Sequence, residues 1–149
     1  MKTFTSYIIC TFALLILLQI EASACSCKIP VFGETLKKQV KDEIDESAAI
    51  FSATVLKVTE KRENDYVAVE IKIIKVWKGN LSQKVTILTG RDDGDCGFRF
   101  KVGTNYLVYA HQSSDDLSKL ATSICTRTKR FTEAKAEIKL LDKNKHLWF

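Results

Sequence analysis

Tyr66-Val67-Ala68-Val69-Glu70-Ile71-Lys72-Ile73-Ile74-Lys75-Val76-Trp77 is the stretch that decides the fold class. Val67, Val69, Ile71 and Ile73 share one parity and Glu70 and Lys72 the other, the period of a strand with one face on a core. Upstream, Ala49 to Val58 carries Ile50, Phe51, Ala53, Val55 and Val58 and reads as a first strand, joined to the second by the polar hairpin loop Glu60 to Asp65. Downstream, Lys78-Gly79-Asn80 turns the chain and Val85 to Leu88 forms a third strand. The polar loop Gly90 to Gly94 then delivers Cys96. Asn105 to Ala110 reads as a fourth strand and Leu117 to Ile124 as a fifth, ending at Cys125. Trp77 reads as a strand-end core aromatic.

Two segments change period. Between Gly33 and Ser47, Leu36, Val40 and Ile44 recur at i, i+4 and i+8 among polar residues, which predicts a helix packed on the strands through one apolar stripe. Near the other end Phe131, Ala134, Ile138 and Leu141 fall at helical spacing, with Thr132 as the expected N-cap. Five short strands in meander order, flanked by helices, predict a mainly β, five-stranded, OB-like closed barrel, because closure removes the edges an open sheet would expose.

The first 24 residues stand outside this domain. Lys2, an apolar run from Tyr7 to Leu18 and the small residues Ala22-Ser23-Ala24 read as a secretory signal cut before Cys25. That run is shorter than a membrane-spanning helix requires, so no stable transmembrane segment is expected. Residues 25–149 are expected to form one secreted domain, extracellular or periplasmic. The chain carries a net charge of +5, which the cut leaves unchanged because Lys2 and Glu21 depart together. Its basic residues are scattered and not clustered, so nucleic acid is not an expected partner.

Cys10 leaves with the signal, so Cys25, Cys27, Cys96 and Cys125 remain of the five cysteines. An even number in an oxidising compartment reads as two disulfides, with three pairings open. Zinc is the rival, but a C-x-C followed by two isolated cysteines contains no C-x-x-C knuckle and no nearby histidine.

Enzyme chemistry finds little footing. His111 and His146 have no second histidine at i+3 or i+4 and read as surface residues. The acidic run Asp92-Asp93-Gly94-Asp95 lacks the glutamate that closes an EF-hand loop. There is no phosphate loop and no G-x-S-x-G elbow, and no cofactor is expected. Asn80-Leu81-Ser82 is a glycosylation sequon on a turn.

Attention therefore falls on the new amino terminus. Cutting before Cys25 leaves a free α-amine on a residue that a disulfide can lock. Amine nitrogen and carbonyl oxygen of one residue close a five-membered chelate on a metal, and rigidity removes the ordering cost of binding. Catalytic zinc keeps one coordination position for water, which such a chelate could displace.

Cys25-Ser26-Cys27, Pro30 soon after, the pair Cys96-Gly97 following a loop, and Cys125 closing a strand together resemble the amino-terminal domain of the tissue inhibitors of metalloproteinases, the netrin-like module. Val76-Trp77-Lys78-Gly79, Gly103 to Tyr109 and Cys125-Thr126-Arg127-Thr128 resemble its smaller single-domain members. The resemblance covers nearly all of residues 25–149. It implies the pairing Cys25 to Cys96 and Cys27 to Cys125, an OB-like barrel, and inhibition of a zinc metalloproteinase by a wedge. In that wedge the amine and carbonyl of Cys25 chelate the partner's zinc and Ser26 points toward its specificity pocket. Cys27, Lys28 and the loop residues Asp93, Gly94 and Asp95 would line the rest of the contact.

Three departures accompany it: the cysteines of the family's third disulfide are missing, the segment from Pro30 to Ala49 is longer and expected to be helical, and no cysteine-rich second domain is expected. The alternative is a non-inhibitory, secreted or surface-anchored netrin-like module whose bridges serve stability alone. A further possibility is lipidation of Cys25, since Ala22-Ser23-Ala24-Cys25 loosely resembles a lipoprotein processing site. Lipid on that sulfur would forbid its disulfide and strand a cysteine, so the even count argues against it.

Overall fold

The computed structural model describes residues 25–29, 31–60, 66–91, 94–114 and 116–143. The signal segment, Pro30, most of the Glu60–Asp65 loop, Asp92, Asp93 and His146 lie outside them. In chain order come helix α1 (Leu36–Glu46), strands β1 (Ala49–Glu60), β2 (Val67–Lys78), β3 (Lys84–Thr89), β4 (Asn105–Gln112), β5 (Leu120–Ala121) and β6 (Lys129–Arg130), a 3-10 turn (Phe131–Glu133) and helix α2 (Lys135–Lys143).

β1, β2, β3, β5 and β4 follow one another around a closed barrel, and β4 returns to β1 over Ala49 to Thr54. The expected OB-like, mainly β barrel is present, flanked by two helices. The meander order is corrected: β3 does not pair with β4, because β5 lies between them, parallel to β3 and antiparallel to β4. The loop from Gly90 to Thr104 carries the chain from β3 to β4 and leaves a gap that only a returning segment can fill. That segment is far shorter than expected. Only Leu120 and Ala121 pair, and the Thr122 N–H extends the contact to Leu88 O at 2.9 Å. The sixth strand, β6, lies along β4 at Tyr106 and Leu107.

Two cores follow from the alternation of side chains. Phe51, Ala53 and Val55 of β1, Val67, Val69 and Ile71 of β2, Ile87 of β3 and Tyr106 and Val108 of β4 fill the barrel. Phe98 and Phe100 close one end against the Tyr106 ring, with centroids 5.7 and 4.9 Å from it. Outward-facing Ile50, Trp77, Leu107 and Tyr109 are buried in turn by Val40 and Ile44 of α1 and by Ala134 and Leu141 beside or on α2. β1 over Ala49 to Ala53 and β4 over Tyr106 to Ala110 are therefore buried on both faces.

The alternation of β2 breaks where it bulges. The register skips Ile74 and Trp77, so Val76 meets the barrel interior while Trp77 turns outward beneath the helices. Trp77 is core, as expected, but of the outer cluster. Its Nε1–H donates to Asp142 Oδ1 at 2.6 Å, tying α2 to the barrel.

Helix α1 begins at Thr35, whose hydroxyl accepts the Lys38 N–H. Thr132 is corrected as a cap. It lies inside the 3-10 turn, and α2 starts at Lys135, after Ala134, whose carbonyl accepts the Ile138 N–H at 2.9 Å.

Candidate functional site

The amino-terminal segment Cys25 to Ile29 has no regular structure and is fastened by two bridges, Cys25–Cys96 and Cys27–Cys125. This is the pairing the family resemblance implies. Cys25 and Cys27 are half-buried and Ser26 is exposed, as expected for an extended C-x-C whose alternate side chains point opposite ways. The loops closed span 71 and 98 residues of sequence separation. Chain entropy gives each bridge about 4–5 kcal/mol on its own, and the overlapping loops do not add.

The bridges converge. Cys25 Sγ lies 3.5 Å from Cys125 Sγ and 4.0 Å from Cys27 Sγ, and Cys125 Sγ lies 3.9 Å from Cys96 Sγ. Each framework cysteine is held by its own loop. Cys96 has the positive φ of 61° that ends the turn after β3. The Asp95 carboxylate accepts the Arg91 N–H at 2.7 Å and closes that loop on itself. A Cβ on Gly90 would come within 2.5 Å of Asp95, so the close approach of the two requires glycine. Gly94 and Asp95 are exposed immediately before Cys96, and Asp93 lies outside the described residues. The Ile124 N–H donates to Cys96 O at 3.0 Å and joins the two cysteine loops.

Cys125 sits in a turn anchored from both sides. Upstream and downstream of it, the Thr122 and Thr128 hydroxyls bond to each other and both reach the buried Tyr109 backbone. Arg127 donates to Gln39 Oε1 of α1 at 2.9 Å and to Glu137 Oε1 of α2 at 2.6 Å. Glu137, 3% exposed, also accepts from Lys129 at 2.6 Å and from the Tyr109 hydroxyl at 3.0 Å. Burial alone would push its carboxyl up. The hydrogen bonds and charges of Arg127 and Lys129 outweigh that and hold it below the ordinary glutamate value. Tyr109 is pushed far up by burial and by Glu137. Burial likewise raises Glu43, against the lowering effect of the Arg127 backbone N–H and charge.

Between the amino-terminal segment, α1 and this turn runs a groove of about 610 Å³ lined by Cys27, Lys28, Gln39, Glu43, Glu46 and Arg127. Lys28 pairs with Glu46 at 2.8 Å across its mouth, an exposed contact of little energetic weight. His111 reaches the same groove from the end of β4, apart from any metal-ligating cluster among the described residues. Sequence reasoning missed Gln39, Glu43 and Glu137, which hold the Cys125 turn. Arg127, two residues after Cys125, was the available signal. It also missed that Ile29, Val31 and Phe32 are exposed, Phe32 completely.

No protein-family model matches the chain, and no curated protein matches it.

Proposed function

We propose that this chain is a secreted inhibitor of zinc metalloendopeptidases, resembling a single-domain member of the tissue inhibitors of metalloproteinases, and not an enzyme. The observation that carries the reading is the double fastening of the amino-terminal tip. Two bridges, 5.1 and 4.9 Å between Cα atoms, fix Cys25 and Cys27 against a barrel while Ser26 between them faces solvent. A tip so held loses little freedom on binding.

Once the signal is removed, the Cys25 α-amine, with a reference pKa of about 7.7–8.0, is partly neutral at physiological pH. With the Cys25 carbonyl it chelates the protease's catalytic zinc and displaces the water that would attack substrate. Ser26 enters the specificity pocket. Cys27, Lys28 and the loop residues Asp93 to Asp95 complete the contact, and the exposed Ile29, Val31 and Phe32 offer apolar area that a protein partner can bury. The alternative, a stapled module that inhibits nothing, uses the same bridges for stability alone.

The test is inhibition of a panel of zinc metalloendopeptidases by the disulfide-bonded protein starting at Cys25, beside a form with one extra alanine before it. Inhibition by the first form that the extra alanine abolishes supports zinc chelation. Failure of both across the panel leaves the non-inhibitory module.

A further inference from the structure

We infer that, when its bridges are reduced, the chain holds a thiophilic metal ion in a four-thiolate site made by Cys25, Cys27, Cys96 and Cys125. Four sulfurs around one zinc at about 2.3 Å sit at the corners of a tetrahedron whose edges are about 3.8 Å. Three edges of that figure already exist here between sulfurs not bonded to each other: 3.5 Å for Cys25 to Cys125, 3.9 Å for Cys96 to Cys125 and 4.0 Å for Cys25 to Cys27. The two disulfides are further edges, which reduction frees to lengthen. The sulfurs of Cys25, Cys27 and Cys125 all lie within 4.8 Å of one another, close enough to share one ion, and Cys96 Sγ, outside that group of three, lies 3.9 Å from Cys125 Sγ.

The polypeptide around Cys96 and Cys125 is arranged to keep their sulfurs there. Cys96 and Cys125 belong to loops joined by the Ile124–Cys96 hydrogen bond, and the Cys125 turn is braced by Arg127 against both helices. Cys25 and Cys27, on one extended segment, present both sulfurs to the same side and would act as a two-toothed clamp. Sulfur ligands select soft ions such as zinc over magnesium or calcium. The absence of a C-x-x-C knuckle, which argues against zinc in the sequence, is offset by a fold that brings the sulfurs together from three separate segments.

The chemistry balances with two equivalents of a dithiol reductant. Each gives two electrons and two protons to one bridge and becomes a cyclic disulfide, leaving four protein thiols. A zinc ion then displaces their four protons and binds four thiolates. Coordination thereby replaces covalent bonding as the tether of the amino-terminal segment. This inference does not rest on protease inhibition.

Its test is titration of the chain starting at Cys25, reduced with excess dithiol that is then removed in the absence of air, with Zn²⁺ and with Co²⁺ as a coloured substitute. One zinc per chain is expected to shield all four thiols from a disulfide reagent, and cobalt to give the visible bands of a tetrahedral tetrathiolate. Because loss of an outer partner alone weakens a metal site tenfold or more, Cys25→Ser and Cys125→Ser should each weaken zinc binding by about 100-fold or more. Shielding of fewer than four thiols, absence of the tetrathiolate bands, or equal affinity for the reduced chain in urea would each overturn it.

Discussion

Replacing Glu137 by glutamine separates charge from shape in the network that anchors the Cys125 turn. The wild-type side chain is buried and takes charged hydrogen bonds of 2.6 Å from both Arg127 and Lys129, besides the Tyr109 hydroxyl. Removing one partner of a buried ion pair costs about 3–5 kcal/mol. Arg127 and Lys129 are 18% and 29% exposed, so water recovers part of that, and the amide still accepts one hydrogen bond. We expect a loss of about 2–3 kcal/mol at neutral pH, a large share of a typical domain's stability. In urea unfolding with bridges intact this moves the midpoint down by about 1 M or more.

The pH dependence provides the sharper check. Glu137 is held below its ordinary value when folded, so its stabilisation is complete above the unfolded pKa of about 4.3 and disappears as pH falls through the lowered folded value. Protonated wild type then resembles the variant, and the two unfolding curves converge in acid, the other carboxylates cancelling in the difference. A loss below about 0.5 kcal/mol at neutral pH, the size of an ordinary surface substitution, would refute the reasoning. So would a loss that stays constant into acid.

Trp77→Ala removes the largest fully buried side chain of the outer core and its bond to Asp142, and should cost about 3–5 kcal/mol in denaturant unfolding. Gly90→Ala forces a Cβ against Asp95 and should cost about 1–3 kcal/mol, with faster dithiol reduction of Cys25–Cys96 as the local readout. Gly33→Ala, whose added Cβ meets nothing within 4 Å but sits on a left-handed φ of 84°, should cost about 1–2 kcal/mol through backbone strain and leave that reduction rate unchanged. Ser26→Leu, at an exposed position, should leave stability within about 0.5 kcal/mol while changing which metalloendopeptidases are inhibited, read from inhibition constants across the panel.

Local pattern carried the elements whose partners lie on one face. Val67 to Ile73 alternate into the barrel, and Val40 and Ile44 mark the buried stripe of α1. Beyond them local pattern does not reach, for physical reasons. Trp77 sits past a bulge that reverses parity, so its direction is set by register with β1. β5 is two residues wedged between β3 and β4, a closure dictated by strands far away in sequence. Thr132 has a capping residue's chemistry but falls in a 3-10 turn. The bridged tip was legible in Cys25-Ser26-Cys27. Its supports were not, because Gln39, Arg127 and Glu137 meet only when two helices and a turn pack together.

The central claim, that the Cys25 α-amine is the zinc ligand, is tested most directly by blocking that amine alone. Carbamylation near neutral pH favours the α-amine over lysines, whose reference pKa is about 10.4. On a zinc metalloendopeptidase that the unmodified protein inhibits, the modified protein, verified by mass and with both bridges intact, should no longer inhibit. Undiminished inhibition after complete modification would contradict the account.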